Sequence, residues 1–224
     1  MTPGETFQRA RTDEQRAQRR AAILAEAGCM LDEGARIADI SLNGLARRVG
    51  LAKSNLLRYF ETREAVLLAL LASEYESWLD AVEADLGATA RREIDGVAEV
   101  LADTIAARPV LSELIANAQL VLEQNVSAEV AAAYKRTAVA QAIRLVSAIE
   151  SQIGPLPDSA RLTLAGGVNV AIGGVWGLCR PSPGMAAAYE RYPELAALRL
   201  DHRLALRELL ATLLAGLVAR ASAG

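Results

Sequence analysis

Residues 41–60 read SLNGLARRVGLAKSNLLRYF, and their pattern indicates two short helices joined by a turn. The first half of this stretch has the i, i+3, i+4, i+7 spacing of a helix with one apolar face, at Leu42, Leu45, Ala46 and Val49. Gly50 then allows the positive φ of a tight turn. In the second half, Leu56 and Phe60 lie four residues apart and face inward. A short helix, a tight turn and a second short helix form a helix-turn-helix.

The outward positions of this stretch carry hydrogen-bonding side chains. In the first helix these are Asn43, Arg47 and Arg48; in the second they are Lys53, Ser54, Asn55, Arg58 and Tyr59. The second helix of such a unit fits the DNA major groove, where Lys and Arg contact phosphate and Asn and Ser address base edges. The pattern predicts DNA binding; a helical hairpin with a solvated face has the same pattern.

The composition of the whole chain indicates an all-α protein. The 224 residues include 45 Ala and 33 Leu, both strong helix formers, which makes a large β-sheet improbable. Capping residues predict helix starts at Thr12, Thr62, Ser127 and Asp201, and Gly34 predicts the end of the first helix.

The net charge of −3 hides an uneven distribution. Residues 1–63 carry 11 basic and 8 acidic side chains, whereas residues 64–224 carry 13 and 19. A basic N-terminal segment followed by an acidic remainder favours a small region that binds a polyanion, although a difference in net charge of this size also arises by chance.

The motif resembles the signature of TetR-type transcriptional regulators. The resemblance spans roughly residues 17–77 and rests on Ser41-Leu42, Leu45-Ala46, Val49-Gly50-Leu51, Lys53-Ser54-Asn55-Leu56-Leu57, Tyr59-Phe60 and Arg63-Glu64. It implies a cytoplasmic homodimer that binds a palindromic double-stranded DNA operator and is released by a small-molecule effector, acting most often as a repressor. The domains implied are a flexible tail (1–11), a three-helix DNA-binding domain (12–62) and an effector-binding and dimerisation domain (63–224).

The resemblance also implies roles for single residues. Ser41 caps its helix and touches phosphate, and Arg63 matches a phosphate-contacting Lys at the next helix start. The positions that face the operator are Asn43, Lys53, Ser54, Asn55, Arg58 and Tyr59, to which the outward Arg47 is added. The chain departs from the family pattern at Leu57, where Tyr is common, and at Ser54, where Gly is common. These two departures affect single contacts and leave the fold unchanged.

The C-terminal part predicts a dimer interface and an effector site. Small residues at heptad spacing let two helices approach closely, and here they are Gly166, Gly167, Gly173, Gly174 and Gly177. Packing within one chain would use the same pattern. The candidate effector contacts are Asn117, Asn169, Trp176, Met185 and His202, any of which also suits a structural role.

Other classes of protein find less support. A single His, without a serine elbow or a phosphate loop, gives no basis for an enzyme, a metal site or a cofactor. Cys29 and Cys179 are expected to be buried, reduced thiols. The uncharged stretch 162–179 would span about 27 Å as a helix, so a membrane-associated helical protein anchored there is the alternative. Its five glycines favour a buried helix instead.

Overall fold

The computed structural model describes the backbone of residues 3–88 and 93–222, and the side chains from residue 14 onward in those ranges. Every regular element in the described ranges is helical, so the predicted all-α fold is confirmed. The helices are α1 (Pro3–Asp32), α2 (Leu42–Arg48), α3 (Lys53–Leu56), α4 (Arg63–Gly87), α5 (Ile94–Ala106), α6 (Pro109–Asn117), α7 (Ala128–Ile153), α8 (Asp158–Cys179), α9 (Pro183–Arg191), α10 (Pro193–Ala196) and α11 (His202–Ser222). A 3₁₀ turn (Ile37–Asp39) precedes α2, and a π-helical segment (Ala118–Leu122) follows α6.

Four predicted helix starts, at Ser41, Thr62, Ser127 and Asp201, have the expected capping side chain, whereas Thr12 lies inside α1. The side-chain oxygens of Ser41 and Thr62 accept hydrogen bonds from the amides of Gly44 and Ala65, each at 3.0 Å. Ser127 and Asp201 do the same for α7 and α11, at 3.3 and 2.8 Å. Local side-chain chemistry therefore sets these four helix starts.

The first helix differs from its prediction at one end. It begins at Pro3 rather than Thr12, so its backbone includes most of the predicted flexible tail. Proline suits the first turn of a helix, and the apolar positions that mark α1 begin only at Ile23, which left the earlier turns without a periodic signal. The sequence also predicts a helix from Arg92 to Ala107. Arg92 lies outside the described residues, and the described helix α5 begins at Ile94.

The chain divides into two compact units, and the division falls inside α4 and α7. The first unit comprises Met1–Ala72 and Ala118–Tyr134; the second comprises Ser73–Asn117 and Lys135–Gly224. This division differs from the proposed domain boundary at residues 62 and 63, which stays a prediction. In the first unit, α1 packs on α2 and α2 on α3. Its fully buried side chains include Ile23, Ile40, Leu45, Leu56 and Leu67.

The second unit is a helical bundle in which α11 packs on α5 and α8, and α6 packs on α5 and α8. Trp78 is fully buried, and its indole N–H donates to the Thr104 hydroxyl at 2.9 Å. Arg144 of α7 binds three carboxylates of α4, those of Glu76, Asp80 and Glu83, each at 2.6 Å. Paired polar groups thus accompany the apolar core.

Two surface features of this fold were not predicted. Cys29 is exposed, because it lies on the face of α1 opposite the buried Ala27 and Leu31. The expectation of two buried thiols is therefore wrong for Cys29, and Cys179 is only half-buried. Helices α9 and α10 contain no buried residue, and the large side chains of Met185 in α9 and of Tyr192 between the two helices are both exposed.

Candidate nucleic-acid interface

The helix-turn-helix predicted at residues 41–60 is present. Gly50 has φ +66°, a conformation that side-chain-bearing residues rarely adopt, and it joins α2 to α3. Leu45 and Ala46 of α2, with Leu56 and Phe60 beyond the turn, are buried as predicted. Because these four side chains fix both helices on the core, the remaining side chains of the motif are held outward.

The outward side chains of the motif are polar. Exposed residues include Ser41, Asn43, Arg47, Lys53, Ser54, Asn55 and Arg58, while Tyr59 and Arg63 are half-buried. A shallow depression of about 330 Å³ brings Asn43 of α2 beside Lys53 of α3, with Ser41 and Arg63 at its walls. Leu57 is 44% exposed, so the departure from the family pattern places an apolar side chain on this surface.

Two arginines near this surface are held by carboxylates. Arg48 binds Glu33 through both terminal nitrogens, at 2.8 and 2.7 Å, and also binds Glu26. The hydrogen bonds that Arg48 donates to Glu33 and Glu26 raise the pKa of Arg48, and the bond that Glu33 accepts lowers the pKa of Glu33. Arg48 is exposed, in agreement with its predicted place on the open face of α2. The sequence did not predict that carboxylates on α1 and just beyond its end neutralise the guanidinium.

Arg63 lies where the motif predicts a phosphate contact, but much of its guanidinium is used within the protein. Its Nε donates to Glu64 at 2.7 Å, and one terminal nitrogen donates to the carbonyls of Ile40 and Ala38 at 3.2 and 3.3 Å. These bonds fix the start of α4 against the segment that leads into α2.

The end of the α3 segment is held by α1. Arg20 donates to the Tyr59 carbonyl at 2.6 Å, and its guanidinium stacks 4.1 Å from the centre of the Phe60 ring. Arg16 lies 3.5 Å from the Arg58 carbonyl. A groove of about 980 Å³ runs along this junction, with walls formed by Gln15, Arg16, Gln18, Arg19, Ala22, Arg58 and Tyr59. Sequence reasoning missed Arg16, Arg19 and Arg20, since they lie in α1 outside the motif.

In the second unit, three of the five candidate effector residues form one cluster around Glu113. The Trp176 indole donates to the Glu113 carboxylate at 2.8 Å, and Asn117 donates to the Glu113 carbonyl at 2.8 Å. Arg180 donates to the same carboxylate at 3.1 Å. The His202 ring meets the Trp176 ring edge to face, with centres 5.2 Å apart. Glu113 gave no sequence signal, because a carboxylate in an amphipathic helix usually faces solvent.

The remaining two candidates lie apart from this cluster. Asn169 donates to the Ala165 carbonyl at 2.9 Å and lies 3.3 Å from the Tyr75 hydroxyl. Met185 is 48% exposed in the first turn of α9. A cavity of about 460 Å³ in the same unit has walls formed by other residues, namely Glu93, Ile94, Asp95, Gln152, Ile153, Ala215 and Val218.

The five glycines of α8 divide into two groups. A Cβ on Gly167 would lie 2.8 Å from Leu213 of α11, and one on Gly173 would lie 3.2 Å from the backbone of Ala116 in α6. These two glycines therefore serve packing within the chain. Gly166, Gly174 and Gly177 are exposed, with nothing within 4 Å of an added Cβ.

Within the described residues, α8 is the one helix that by itself is long and apolar enough to cross a membrane. Length and composition alone give that result, and core helices of soluble proteins satisfy the same test. About 28% of the apolar stretch of α8 is buried, through packing on α6 and α11. In the described parts of the chain, no three His, Cys, Asp or Glu side chains form a group suited to a metal ion.

Comparison with known proteins identifies the class. The family model described as tetracyclin repressor-like, C-terminal domain, matches residues 72–221, which include α8. The chain therefore belongs to the TetR family of transcriptional regulators, as the motif in its first unit indicates. Regulators of this family bind DNA and act as dimers. No curated protein matches the chain in sequence.

Solved structures share the fold at low sequence identity. The fatty acid degradation regulator FadR from Bacillus halodurans is 16% identical, with a TM-score of 0.56 over 88% of this chain and 98% of its own. A TetR-family regulator from Shewanella sp. PV-4 is 16% identical, with a TM-score of 0.53 over 86% and 96%. A transcriptional regulator from Streptomyces coelicolor A3(2) is 21% identical, with a TM-score of 0.51 over 90% and 98%.

Proposed function

We propose that this chain is a cytoplasmic, ligand-responsive repressor whose homodimer binds a palindromic DNA operator. The observation that carries the proposal is the polar outward surface of the helix-turn-helix, mounted on four buried apolar side chains. Residues 12–62 form the DNA-binding domain and residues 63–224 the effector-binding and dimerisation domain. In this proposal the protein acts by binding DNA and an effector, and it is not an enzyme.

In this proposal α3 enters the major groove and α2 lies across the phosphate backbone. Lys53 and Arg58 supply positive charge, while Asn55 and Ser54 present groups that hydrogen-bond base edges. Ser41, Asn43, Arg47, Tyr59 and Arg63 complete the contact surface. The exposure of Lys53, Asn55 and Arg58 supports these roles, because DNA can contact each side chain while the helix-turn-helix stays folded.

The dimer in this proposal forms through the outward face of α8 together with α11. Gly166, Val170 and Gly174 repeat every four residues along one face of α8, and Val170 is 72% exposed. On α11, Leu204 and Leu209 are 52% and 46% exposed. Small residues next to exposed aliphatic ones are typical of a face that a second helix covers.

The effector in this proposal acts by population shift. A ligand that prefers a dimer with a different spacing of its two α3 helices lowers DNA affinity, and DNA lowers ligand affinity by the same factor. The cluster of Trp176, His202, Asn117 and Glu113 supports an effector contact on α6, α8 and α11, since two of these helices carry the dimer face. Asn169 and Met185 are candidates for separate contacts.

A combined variant tests the DNA-binding assignment. Lys53→Ala, Asn55→Ala and Arg58→Ala together remove two charges and one base-reading amide from exposed positions. We expect operator affinity to fall by at least about a hundredfold while the helical content stays unchanged. Unchanged affinity would refute the assignment of α3 as the recognition helix.

A further inference from the structure

The groove between α1 and residues 58–59 carries a concentration of positive charge, and two of its three arginines, Arg16 and Arg19, are not among the proposed DNA contacts. Among the residues whose side chains the structure describes, its walls hold three arginines and two glutamines and no carboxylate. Arg16, Arg19 and Arg58 are exposed, and none of them forms an ion pair with a side chain that the structure describes. Arg48 and Arg63, by contrast, are bound by carboxylates in the same unit.

Arg20, the next arginine along α1, carries a further positive charge beside these residues. Burial, together with the positive charge of Arg16, lowers the pKa of Arg20. Its donors are bound to the Tyr59 carbonyl and its plane rests on Phe60, so it acts as a support for the groove rather than as a ligand group. A site that holds cations together against their repulsion is suited to an anion.

We propose that this groove binds the phosphate backbone of duplex DNA beside the segment that α3 reads, with Arg19 and Arg16 as contacts contributed by α1. The inference rests on the proposed function, because it takes α3 to lie in the major groove. A helix in that groove has sugar–phosphate backbone on both sides, and Arg58 and Tyr59 at its end form one wall of the groove described here.

The chemistry favours a polyanion over a single small anion. The guanidinium group pairs with phosphate through two parallel hydrogen bonds, and three of them surround an open volume of about 980 Å³. Gln15 and Gln18 add neutral donors along the same side of α1. Such contacts read no base, so they extend the footprint and raise affinity on any sequence.

Arg19 provides the clean test, because no hydrogen bond ties its side chain to the described part of the protein, whereas Arg16 reaches the Arg58 carbonyl. Binding of a mixed-sequence duplex is measured by fluorescence anisotropy over a salt series. For Arg19→Gln we expect the slope of log K against log salt to fall by about 0.9 per lost phosphate contact, so by about two for a dimer. The corresponding loss of affinity at 0.1 M salt is about eightfold per contact.

Three control variants separate charge from shape. Arg19→Lys keeps the charge and restores most of the slope. Gln15→Ala alters the same groove without a charge change and leaves the slope unaltered. Arg220→Gln removes one charge from the second unit, outside the groove, and leaves it unaltered as well.

The outcomes distinguish this inference from the function on which it rests. If Lys53→Gln weakens binding but Arg19→Gln has the wild-type affinity and salt slope, the groove is not a phosphate site and the proposed function stands. If wild-type protein binds no duplex at any salt concentration, both are overturned. An equal loss of slope for Arg19→Gln and Arg220→Gln would also refute the groove, since it would reflect net charge alone.

Discussion

Single side chains at helix ends account for much of the order in the first unit. Ser41 caps α2 through the Gly44 amide at 3.0 Å, in addition to its predicted phosphate contact. We expect Ser41→Ala to lower the free energy of unfolding by about 1 kcal/mol, because the amide loses its partner. Ser54→Ala is the control: Ser54 is exposed inside α3, so chemical denaturation should show a change within about 0.5 kcal/mol. Equal effects of the two changes would contradict the capping role.

In the second unit, the buried pair of Trp78 and Thr104 joins α4 to α5. Thr104→Val keeps the shape but leaves the fully buried indole N–H without an acceptor. We expect a loss of about 1–3 kcal/mol in unfolding free energy, measured by urea denaturation. Thr163→Val removes a hydroxyl of similar geometry on an exposed position and should cost much less.

His202 gives the protein a pH-dependent contribution to stability. Burial lowers its pKa below 6.5, against an opposing effect of Asp201, and no hydrogen-bond partner of its Nε2 atom is found in the described structure. The unfolded state then binds more protons as the pH falls through 6.5, so stability declines from that value down to the folded pKa. His202 is the single histidine, so proton NMR reports its titration without overlap. A folded pKa at or above 6.5, or an equal stability loss in His202→Gln between pH 7.5 and 5.5, would contradict this expectation.

At the scale of elements, α8 uses its two faces for different purposes. A Cβ on Gly173 would lie 3.2 Å from the backbone of Ala116, which must shift by a few tenths of an ångström, so Gly173→Ala should cost about 1–3 kcal/mol. Gly174→Ala meets open space and should raise helix stability by up to about 1 kcal/mol, unless a second chain covers it. Urea unfolding at matched protein concentrations compares the two variants.

The outward face of α8 is where the dimer prediction is tested. Val170→Asp places a charge on a side chain that is 72% exposed in one chain, so the folded protomer should tolerate it. We expect sedimentation to show monomers with unchanged helical content, because burial of an unpaired carboxylate prevents association. Leu120→Asp, at 81% exposure in the first unit, is the matched control and should remain dimeric. A dimeric Val170→Asp protein would place the interface elsewhere.

Element boundaries show what local sequence determines. One capping side chain each predicted the starts of α2, α4, α7 and α11. Gly50 predicted the tight turn between α2 and α3. The start of α1 at Pro3 did not, since its early turns have no apolar stripe. The pairing of Arg48 with Glu26 and Glu33, the role of Glu113 as acceptor, and the division of the α8 glycines depend on contacts between segments distant in sequence. A single sequence gives no signal for such contacts.

At the scale of the whole molecule, the net charge of −3 combines two different parts. The first 63 residues carry the basic excess, and their outward arginines and Lys53 surround the helix-turn-helix; the acidic remainder includes the carboxylates that bind Arg144 and Arg203. We expect DNA affinity to fall steeply with salt, because binding would come from the small basic surface alone.

The most direct test is selection of DNA from a random duplex pool with the purified protein. The account predicts enrichment of a palindrome whose half-site centres lie about 34 Å apart, one turn of DNA, or a multiple of that spacing. It also predicts that the variant with Lys53→Ala, Asn55→Ala and Arg58→Ala enriches no such sequence. Failure of the wild-type protein to enrich any sequence, or enrichment of the same palindrome by the triple variant, would contradict the account.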